Sequence, residues 1–457
     1  MRNYNFLCKY KYIHFVGIGG IGMSALAKLC FSNGIVVSGS DKTKTDLTDE
    51  LEHIGIKIHI GHSKKNVETP DLVVYTCAVS QNNPELIEAK NLGIKILERA
   101  EFLGEISKEF QNVVAVAGSH GKTTVSAMIG NIFLLDKKQP TIIVGGQVKG
   151  YGNLVVGKKD FLIVEACEYM AHFLKLKRTT AVVLNVDYDH PDFFKSQNDY
   201  AKAFYDFSKE AENVVSSEQC KMLVAKDATT FGTFGNFQAK NVYIKNGKTY
   251  FDVYKNGEFF VHVFLKSFAS YNIQNALCAV AVCDLYDIEP SKIAKGLEAF
   301  DGVKRRYEYM GKINNNVVIT DYAHHPTQIA DCILTTKKAY RKPVVAVFEP
   351  HTYSRTKSLF GDFVNALKLA DKVVILPTYS AREQKIDGGT AKDLFHAIEF
   401  GKNNVFYRPN YKSCKALLST IKDSIILLMG AGSIINLANE IKYEYIKNHA
   451  KLLPQNS

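Results

Sequence analysis

Short apolar runs alternate with segments of helical periodicity along the first 107 residues of the chain. Residues 13–16, 35–37 and 72–75 are apolar runs of strand length, and residues 23–32 repeat their apolar positions every three or four residues. Strands and helices that alternate in this way form a mostly parallel sheet with helices on both faces. The pattern therefore predicts an α/β domain over residues 1–107.

The alternation restarts near residue 112 and predicts a second α/β domain. Residues 112–117 form an apolar strand that leads into a glycine-containing loop and then a helix. Apolar runs at residues 161–164 and 181–184 end in acidic or polar residues, which places candidate chemistry at the carboxyl ends of parallel strands. We predict that this domain covers residues 108–303.

Two Asn-Gly pairs, Asn246-Gly247 and Asn256-Gly257, lie towards the end of the second domain. They separate three β-prone runs, at residues 242–244, 249–254 and 259–264. Asn-Gly between such runs favours a tight hairpin turn, so an antiparallel meander is predicted there.

A third block of buried strands follows the second domain. Its apolar runs lie at residues 317–320, 344–348, 373–376 and 425–429, with helical segments between them. We predict a third α/β domain over residues 304–457.

Composition is that of a globular protein with several cores. The 457 residues are 46% hydrophobic and 23% charged. The nine cysteines form no CxxC pair, so neither a disulfide framework nor a structural zinc site is expected. No run approaches the roughly 18 apolar residues of a membrane span, and no signal peptide is evident. The protein is predicted to be cytoplasmic, without membrane insertion.

The net charge of +11 suits anionic partners such as nucleic acids, membrane surfaces or phosphorylated small molecules. Lysine and arginine are spread along the chain, and no basic stripe with interleaved aromatic residues occurs. Nucleic-acid binding is therefore not expected, while a phosphorylated substrate and a merely solvated basic surface both stay open.

Residues 17–22 read GIGGIG, a G-x-G-x-x-G turn between a strand and a helix. Glycines at Gly17, Gly19 and Gly22 allow backbone N–H groups to approach a diphosphate at the helix N-terminus. Asp41, at the end of the next strand, could meet a ribose hydroxyl. Alone, the turn fits NAD, any other nucleotide diphosphate, or a tight turn without a ligand.

Residues 118–124 read GSHGKTT and also stand between a strand and a helix. Backbone donors and Lys122 would hold a triphosphate there, and the Thr123 hydroxyl would reach Mg²⁺. Position 116 is valine, so the standard G-x₄-G-K-[ST] spacing is not met. The alternative interpretation is an ordinary turn.

Two loops that suit nucleotide diphosphates thus occur in two different predicted domains. A dehydrogenase needs the first loop and a simple NTPase the second, whereas an enzyme that uses ATP on a nucleotide-linked substrate needs both. An NAD-dependent oxidoreductase is the competing hypothesis, and it leaves residues 118–124 unexplained.

Glu165 and His190 follow two apolar runs of the second domain. They are expected at the same sheet edge as residues 118–124, which we call the phosphate loop. Together with Thr123 they form the candidate Mg²⁺ site. Imidazole is an uncommon Mg²⁺ ligand, so on chemistry alone His190 could instead be a loop histidine with a hydrogen-bonding role.

Several motifs of the chain, taken together and in their order along the sequence, resemble those of the Mur ligases. The carrying segments are residues 14–24 (HFVGIGGIGMS), 117–124 (AGSHGKTT), 165–168 (EACE), 185–190 (NVDYDH), 272–275 (NIQN), 302–306 (GVKRR), 321–326 (DYAHHP), 349–356 (EPHTYSRT) and 430–433 (GAGS). The resemblance implies three α/β domains: an N-terminal Rossmann-like domain, a central P-loop ATPase-like domain with a parallel sheet, and a C-terminal Rossmann-like domain.

The resemblance also implies an ATP-dependent amide-forming ligase of peptidoglycan synthesis. The first segment and the histidine-rich segments distinguish members within the family, and the resemblance implies UDP-N-acetylmuramate, L-alanine and ATP as substrates, Mg²⁺ as cofactor, and a monomer or homodimer. A murein tripeptide ligase or another Mur ligase is the alternative within the family. The implied catalytic residues are Lys122, Glu165, His190 and Arg306, and the implied metal ligands are Thr123, Glu165 and His190.

The remaining implied contacts are grouped by ligand. For the UDP substrate they are Gly17, Gly19, Gly20, Ile21, Gly22, Met23, Ser24 and Asp41. For ATP they are Gly118, Ser119, His120, Gly121, Lys122, Thr123, Thr124, Asn272, Asn275, Arg306 and Asp321. For the amino acid and the substrate carboxylate they are His324, His325, His351 and Arg355.

Three positions depart from the family pattern. Ser119 stands where threonine is usual, Cys167 where many relatives carry aspartate, and Thr352 where arginine is common. The asparagines Asn272 and Asn275, read without the resemblance, are typical of a helix N-terminus.

Overall fold

The computed structural model describes residues 4–245, 247–267, 269–381, 383–401 and 403–450. Its strands form three separate sheets of five, ten and six strands. No helix in these ranges is both long and apolar enough to cross a bilayer. The expected three-part α/β fold is confirmed. The exact boundaries at residues 107 and 303 stay predictions.

The first sheet is entirely parallel, with strand order β3-β2-β1-β4-β5. Its central strands β1 and β4 are mostly apolar and buried, as expected of parallel strands that helices cover on both faces. The elements are β1 (Tyr12–Val16), α1 (Ile21–Ser32), β2 (Val36–Asp41), α2 (Asp46–His53), β3 (Lys57–Ile60), β4 (Leu72–Tyr75), α3 (Pro84–Asn91), β5 (Lys95–Glu98) and α4 (Arg99–Ser107).

The second sheet has the order β15-β14-β13-β12-β11-β10-β6-β9-β7-β8, and β6 lies near its middle. Its first elements are β6 (Asn112–Ala117), α5 (Lys122–Leu135), β7 (Thr141–Val148), β8 (Gly152–Val155), β9 (Phe161–Glu165) and β10 (Thr180–Val183). The later ones are α6 (Gln197–Lys209), β11 (Asn213–Ser217), β12 (Thr229–Phe231), β13 (Phe237–Lys245), β14 (Lys248–Lys255), β15 (Glu258–Leu265), α7 (Tyr271–Leu285) and α8 (Pro290–Ala299).

The predicted meander is present as β13, β14 and β15, which pair antiparallel. Asn256 and Gly257 both have positive φ, at 51° and 90°, as a tight hairpin turn requires. Gly247 also has a positive φ of 72°. Its partner in the first predicted turn, Asn246, lies outside the described residues.

The third sheet has the order β16-β17-β21-β18-β19-β20 and is parallel except for β16. Its elements are β16 (Glu308–Ile313), β17 (Asn316–Asp321), α9 (Pro326–Tyr340), β18 (Val344–Phe348), α10 (Tyr353–Ser358), α11 (Phe360–Lys368), β19 (Lys372–Ile375), α12 (Ala391–Glu399), β20 (Val405–Tyr407), α13 (Tyr411–Leu418), β21 (Ile425–Met429) and α14 (Ile434–Ala450). Parallel β17, β21 and β18 end next to one another, so the loops after them face the same side.

Candidate active site

A cleft of about 880 Å³ lies where the three sheets meet, and all three contribute side chains to it. The first domain supplies the glycine turn and Arg99. The second supplies the phosphate loop together with the acidic ends of its strands. The third supplies two histidines and Arg355. The candidate residues that line this cleft are Gly20, Ile21, Gly22, Met23, Ser119, His120, Gly121, Lys122, Thr123, Glu165, His190, Arg306, His324, His351 and Arg355.

The glycine turn begins at Gly17, whose φ of 83° places it in the left-handed region. Helix α1 starts at Ile21 with Gly20 as its N-cap, and Gly20 makes no side-chain cap. The first turn of α1 therefore has no capping side chain. Residues 20–23 line the cleft, whereas Gly17 and Gly19 lie behind it.

Asp41 and Ser24 are engaged with the protein rather than with the cleft. Asp41 Oδ2 accepts a hydrogen bond from Gly19 N at 2.9 Å, which holds the glycine turn in shape. Ser24 is fully buried and accepts from Asn153 Nδ2 at 2.9 Å, a contact between the first and second domains. Neither residue lines the cleft. Asp41 therefore supports the glycine turn, and Ser24 supports the packing of α1 on the second domain.

The phosphate loop is held open by its backbone conformation. Gly118 and Gly121 have φ values of 145° and 84°, so a side chain at either place would be strained. His120 N donates to Asn185 Oδ1 at 2.8 Å, which ties the loop to the end of β10. Ser119 Oγ donates to Asp187 O at 2.6 Å. The hydroxyl of Ser119 therefore fastens the loop to the protein.

Lys122 opens α5 and lies in the cleft beside Glu168. Its Nζ donates to Gly118 O at 2.5 Å and to Glu168 Oε1 at 3.0 Å. Glu168 is only 2% exposed, and His190 Nε2 lies 3.6 Å from Glu168 Oε1. Although burial opposes it, Lys122 holds the pKa of Glu168 below its usual range, and Glu168 raises the pKa of Lys122. A charged lysine with one buried carboxylate partner results.

Thr123 and Glu165 approach the same pair of glycines on β7. A Cβ added at Gly145 would lie 2.7 Å from both carboxylate oxygens of Glu165, and one at Gly146 would lie 2.8 Å from Thr123 Cγ2. Gly145 N also donates to Glu165 Oε2 at 2.8 Å. The two oxygen donors proposed for Mg²⁺ are therefore placed close to one glycine dipeptide.

Gly145→Ala should lower the catalytic rate by about 10- to 100-fold, because the new methyl group would displace the Glu165 carboxylate. Gly361→Ala is the matched control, since nothing lies within 4 Å of a Cβ added there. Steady-state rates of both variants, with circular dichroism to verify folding, make the comparison. Equal rates in the two variants would show that the position of the Glu165 carboxylate does not depend on a glycine at residue 145.

A second cavity of about 270 Å³ adjoins the cleft, and Thr124, Asn272 and Arg306 line it. Arg306 lines both spaces and so marks where they join. Asn272 does not cap α7, since the N-cap is Ser270 and Asn272 Nδ2 donates to Ser267 Oγ at 3.1 Å. Asn275 Oδ1 packs against Gly121, 2.7 Å from the place a Cβ would take. The contact of Asn275 with Gly121 connects α7 to the phosphate loop.

Asp321 is buried at the carboxyl end of β17 and organises the link between the second and third domains. Its Oδ2 accepts from Tyr307 N and its Oδ1 from Ala323 N, each at 2.7 Å. Burial raises the pKa of Asp321, while the charge of Arg306 acts in the opposite direction. Asp321 therefore fixes the backbone beside Arg306 and does not line either cavity.

Arg355 is 5% exposed and pairs with Asp189 of the second domain. Its Nε donates to Asp189 Oδ1 at 2.9 Å, and its Nη1 bonds His351 Nδ1 at 3.0 Å. Against the effect of burial, Arg355 holds the pKa of Asp189 well below its usual range. The guanidinium of Arg355, which is expected to bind a substrate carboxylate, is thus occupied here by a carboxylate of the protein itself.

The three candidate histidines and the candidate arginine of the third domain form two groups. His324, His351 and Arg355 line the cleft. His325 caps α9 and its ring contacts that of His120 in a tilted arrangement, with ring centroids 4.7 Å apart. His120 Nε2 in turn lies 2.9 Å from Asp187 Oδ2. His325 is therefore a contact between the third domain and the phosphate loop.

Sequence reasoning missed Glu168, Asp189 and the Gly145-Gly146 pair. Both acidic residues stand inside segments already singled out, beside Glu165 and His190, and both are almost completely buried at 2% exposure. A buried carboxylate needs a cationic partner. The sequence offers no signal for which cation that is.

Models of known families match three successive parts of the chain. The model described as Mur ligase family, catalytic domain, matches residues 12–111, the Mur ligase middle domain matches residues 116–283, and the Mur ligase, glutamate ligase domain, matches residues 305–432. A UDP-N-acetylmuramate–L-alanine ligase of Clostridium beijerinckii is 37% identical over 456 residues, covering 95% of this chain and 98% of the relative.

The chain belongs to the Mur ligase family. Another relative of this Mur ligase, the UDP-N-acetylmuramate–L-alanine ligase of Acetivibrio thermocellus, is 40% identical over 443 residues, 93% of this chain and 94% of the relative. The crystal structure of UDP-N-acetylmuramate–alanine ligase from Thermotoga maritima matches with a TM-score of 0.84 and 30% identity, covering 96% and 100% of the two chains. The family expected from the motifs is confirmed.

Proposed function

We propose that this protein is an ATP-dependent ligase that joins L-alanine to the lactyl carboxylate of UDP-N-acetylmuramate in cytoplasmic peptidoglycan precursor synthesis. The observation that carries the proposal is the single cleft where the glycine turn, Lys122 and Arg355 face one another. An amide-forming ligase needs these three elements together: a nucleotide-substrate site, a phosphoryl-transfer site and a carboxylate-binding arginine. The names of the relatives that match nearly the whole chain support this reaction.

Each substrate would occupy the part of the cleft that one of the three domains lines. The diphosphate of the UDP substrate would lie at the α1 N-terminus, where residues 20–23 line the cleft. The ATP phosphates would lie at Gly118–Thr124, with the nucleoside end towards Asn272 and Arg306 in the smaller cavity. The amino acid would enter beside His324, His351 and Arg355.

The donor set at the phosphate loop fits Mg²⁺, because a hydroxyl and a carboxylate are the hard oxygen ligands that this ion prefers. Thr123 and Glu165 would hold one ion, and His190 would contact a second. Bound there, Mg²⁺ would neutralise the negative charge of the phosphoryl group in transfer. Lys122 would share this task, since its ammonium group lies in the same cleft.

The reaction proceeds in two steps. A carboxylate oxygen of the muramoyl group attacks the γ-phosphorus, the bond to the ADP oxygen breaks, and an acyl phosphate forms. The amine of L-alanine then attacks the acyl carbon, and the tetrahedral intermediate releases phosphate as the amide forms. The protein contributes orientation and positive charge from Lys122 and Arg306.

The hydrogen bonds of two histidines determine where the amine proton can go. His324 Nδ1 lies 3.0 Å from Tyr322 O, a pure acceptor, so this nitrogen carries the proton and Nε2 has a free lone pair. His351 Nδ1 accepts from Arg355, so its Nε2 carries the proton. Burial lowers the pKa of both residues and keeps them neutral. We therefore assign His324 Nε2 as the acceptor of the amine proton.

Phosphate release with UDP-N-acetylmuramate and ATP tests the proposal. L-Alanine should accelerate release strongly, and glycine or L-serine should act more weakly if at all. With ¹⁸O in the lactyl carboxylate, one labelled oxygen should appear in the released phosphate, because the acyl phosphate passes through that oxygen. Release that no amino acid stimulates would refute the ligase function.

Two alternative activities predict different results in the same assay. A murein tripeptide ligase would respond to the tripeptide and ignore free L-alanine. An NAD-dependent oxidoreductase would bind NADH at the first glycine turn and release no phosphate. Either pattern would replace the proposed substrate assignment.

A further inference from the structure

Three side chains with metal-binding chemistry converge at the boundary between the first and second domains. They are Cys77, Glu98 and His172, and their ligand atoms all lie within 4.8 Å of one another. Cys77 follows β4, Glu98 ends β5, and His172 lies in the 3-10 segment Tyr169–Lys175 of the second domain. None of the three is among the residues proposed above for substrate binding or for the amide-forming reaction.

Hydrogen bonding leaves this group incompletely satisfied. Glu98 and His172 are 8% and 6% exposed, yet Glu98 Oε1 and His172 Nδ1 have no hydrogen-bond partner within the described part of the chain. Glu98 Oε2 accepts from Ala100 N at 2.9 Å as the cap of α4, and it lies 3.6 Å from His172 Nε2. That separation is too long for a hydrogen bond. Buried polar atoms without partners are rare in native proteins, and a water or an ion bound between them would satisfy them.

The local charges suit a divalent cation. Burial and the nearby charge of Arg99 lower the pKa of His172 to about 4, so its imidazole is neutral at pH 7 and offers a lone pair. A Cys77 thiolate and the Glu98 carboxylate together carry two negative charges. Lys175, which also lowers the pKa of His172, is paired with Glu101 at 2.9 Å.

We propose that Cys77, Glu98 and His172 bind a thiophilic divalent cation of the zinc class, which ties the first domain to the second. Sulfur, imidazole nitrogen and carboxylate oxygen are the ligands that Zn²⁺ takes, and a water would complete a tetrahedral shell. Binding displaces the proton of the Cys77 thiol into solvent. Mg²⁺ would not compete, because it prefers six oxygen ligands.

Sequence spacing could not reveal this group. Zinc sites are recognised in a sequence by closely spaced pairs such as CxxC, and the chain has none. Here β4 and β5 are neighbours in the sheet and bring Cys77 near Glu98, while the second domain supplies the histidine. Thr76 and Arg99, the residues next to two of the ligands, line the cleft. A bound ion would therefore brace the wall of the cleft that carries Arg99.

Co²⁺ titration of the full-length protein tests the site, after treatment with a chelator and in excess Mg²⁺. The wild-type protein should bind about one equivalent and develop a thiolate-to-cobalt charge-transfer band with the visible bands of tetrahedral Co²⁺. Zn²⁺ should abolish both. Cys77→Ser should remove the charge-transfer band and weaken binding on the order of 100-fold.

Cys8→Ser is the matched control, because Cys8 is an exposed cysteine outside the group. It should leave the cobalt spectrum unchanged, whereas His172→Gln should weaken binding and retain the thiolate band at higher Co²⁺. Circular dichroism verifies that each variant is folded. A wild-type protein without the band, or a band that survives Cys77→Ser, would overturn the proposal. The cobalt spectrum can be recorded without any enzymatic turnover. Its outcome is therefore independent of the proposed amide-forming reaction.

Discussion

Replacing Lys122 by methionine should lower the ligation rate by at least about 1000-fold, because in the proposed reaction Lys122 would be the cation that faces the transferred phosphoryl group. The same change removes the partner of the buried Glu168 carboxylate, 3.0 Å away. Removing one member of a buried ion pair costs about 3–5 kcal/mol. The variant should therefore be both inactive and less stable.

The double variant Lys122→Met/Glu168→Gln separates these two effects. Since it leaves no unpaired buried charge, it should recover most of the lost stability and none of the lost activity. Lys202→Ala, which removes an exposed lysine on α6, is the control for loss of a charge. Phosphate-release rates and urea unfolding give the two readouts. Recovery of activity in the double variant would mean that Lys122 serves only to neutralise Glu168.

Glu168 also gives the Lys122 variant a distinct pH dependence. In the wild-type protein its folded-state pKa is lowered, so its contribution to stability is present above the unfolded pKa of about 4.3 and is lost as pH falls through the folded value. Without Lys122 this depression should shrink. The stability difference between the two proteins is then largest near pH 7 and declines below about pH 4.

Replacing Arg355 by methionine should raise the KM for L-alanine about 10- to 100-fold, because hydrogen bonds to charged groups contribute about 1.5–3 kcal/mol. Arg355→Lys should recover only part of this loss, since an ammonium group cannot bind a carboxylate through two parallel hydrogen bonds. The KM for ATP should change little in either variant. An unchanged KM for L-alanine in Arg355→Met would show that Arg355 does not bind the carboxylate of the amino acid.

Asp189→Asn tests how the protein's own carboxylate affects Arg355. The buried guanidinium would lose its charged partner, so the free energy of unfolding should fall by about 3 kcal/mol at pH 7. The pKa of Asp189 is well below its usual value, so its stabilising effect is present above about pH 4 and is lost as pH falls through the folded pKa. Urea unfolding at pH 7 and at pH 3 should show a smaller difference at the lower pH.

Local sequence patterns predicted most of the fold because parallel strands are buried on both faces. The runs at Leu72–Tyr75, Val344–Phe348 and Ile425–Met429 coincide with strands of the structure. The predicted strand at residues 35–37 is instead Val36–Asp41. Its second half is polar, and Ser40 there is satisfied by a buried hydrogen bond to Glu85. Hydrophobicity alone could not signal a strand of that kind.

The sequence by itself determined the glycine turn, the phosphate loop and the strand ends that carry acidic residues. Each is a local feature in which neighbouring residues dictate backbone conformation. Only the tertiary structure decided which charges meet, since Lys122 and Glu168 are 46 residues apart and Asp189 and Arg355 are 166 apart. Burial obliges each of these carboxylates to have a cationic partner, but the choice of partner depends on how three separate sheets pack around one cleft.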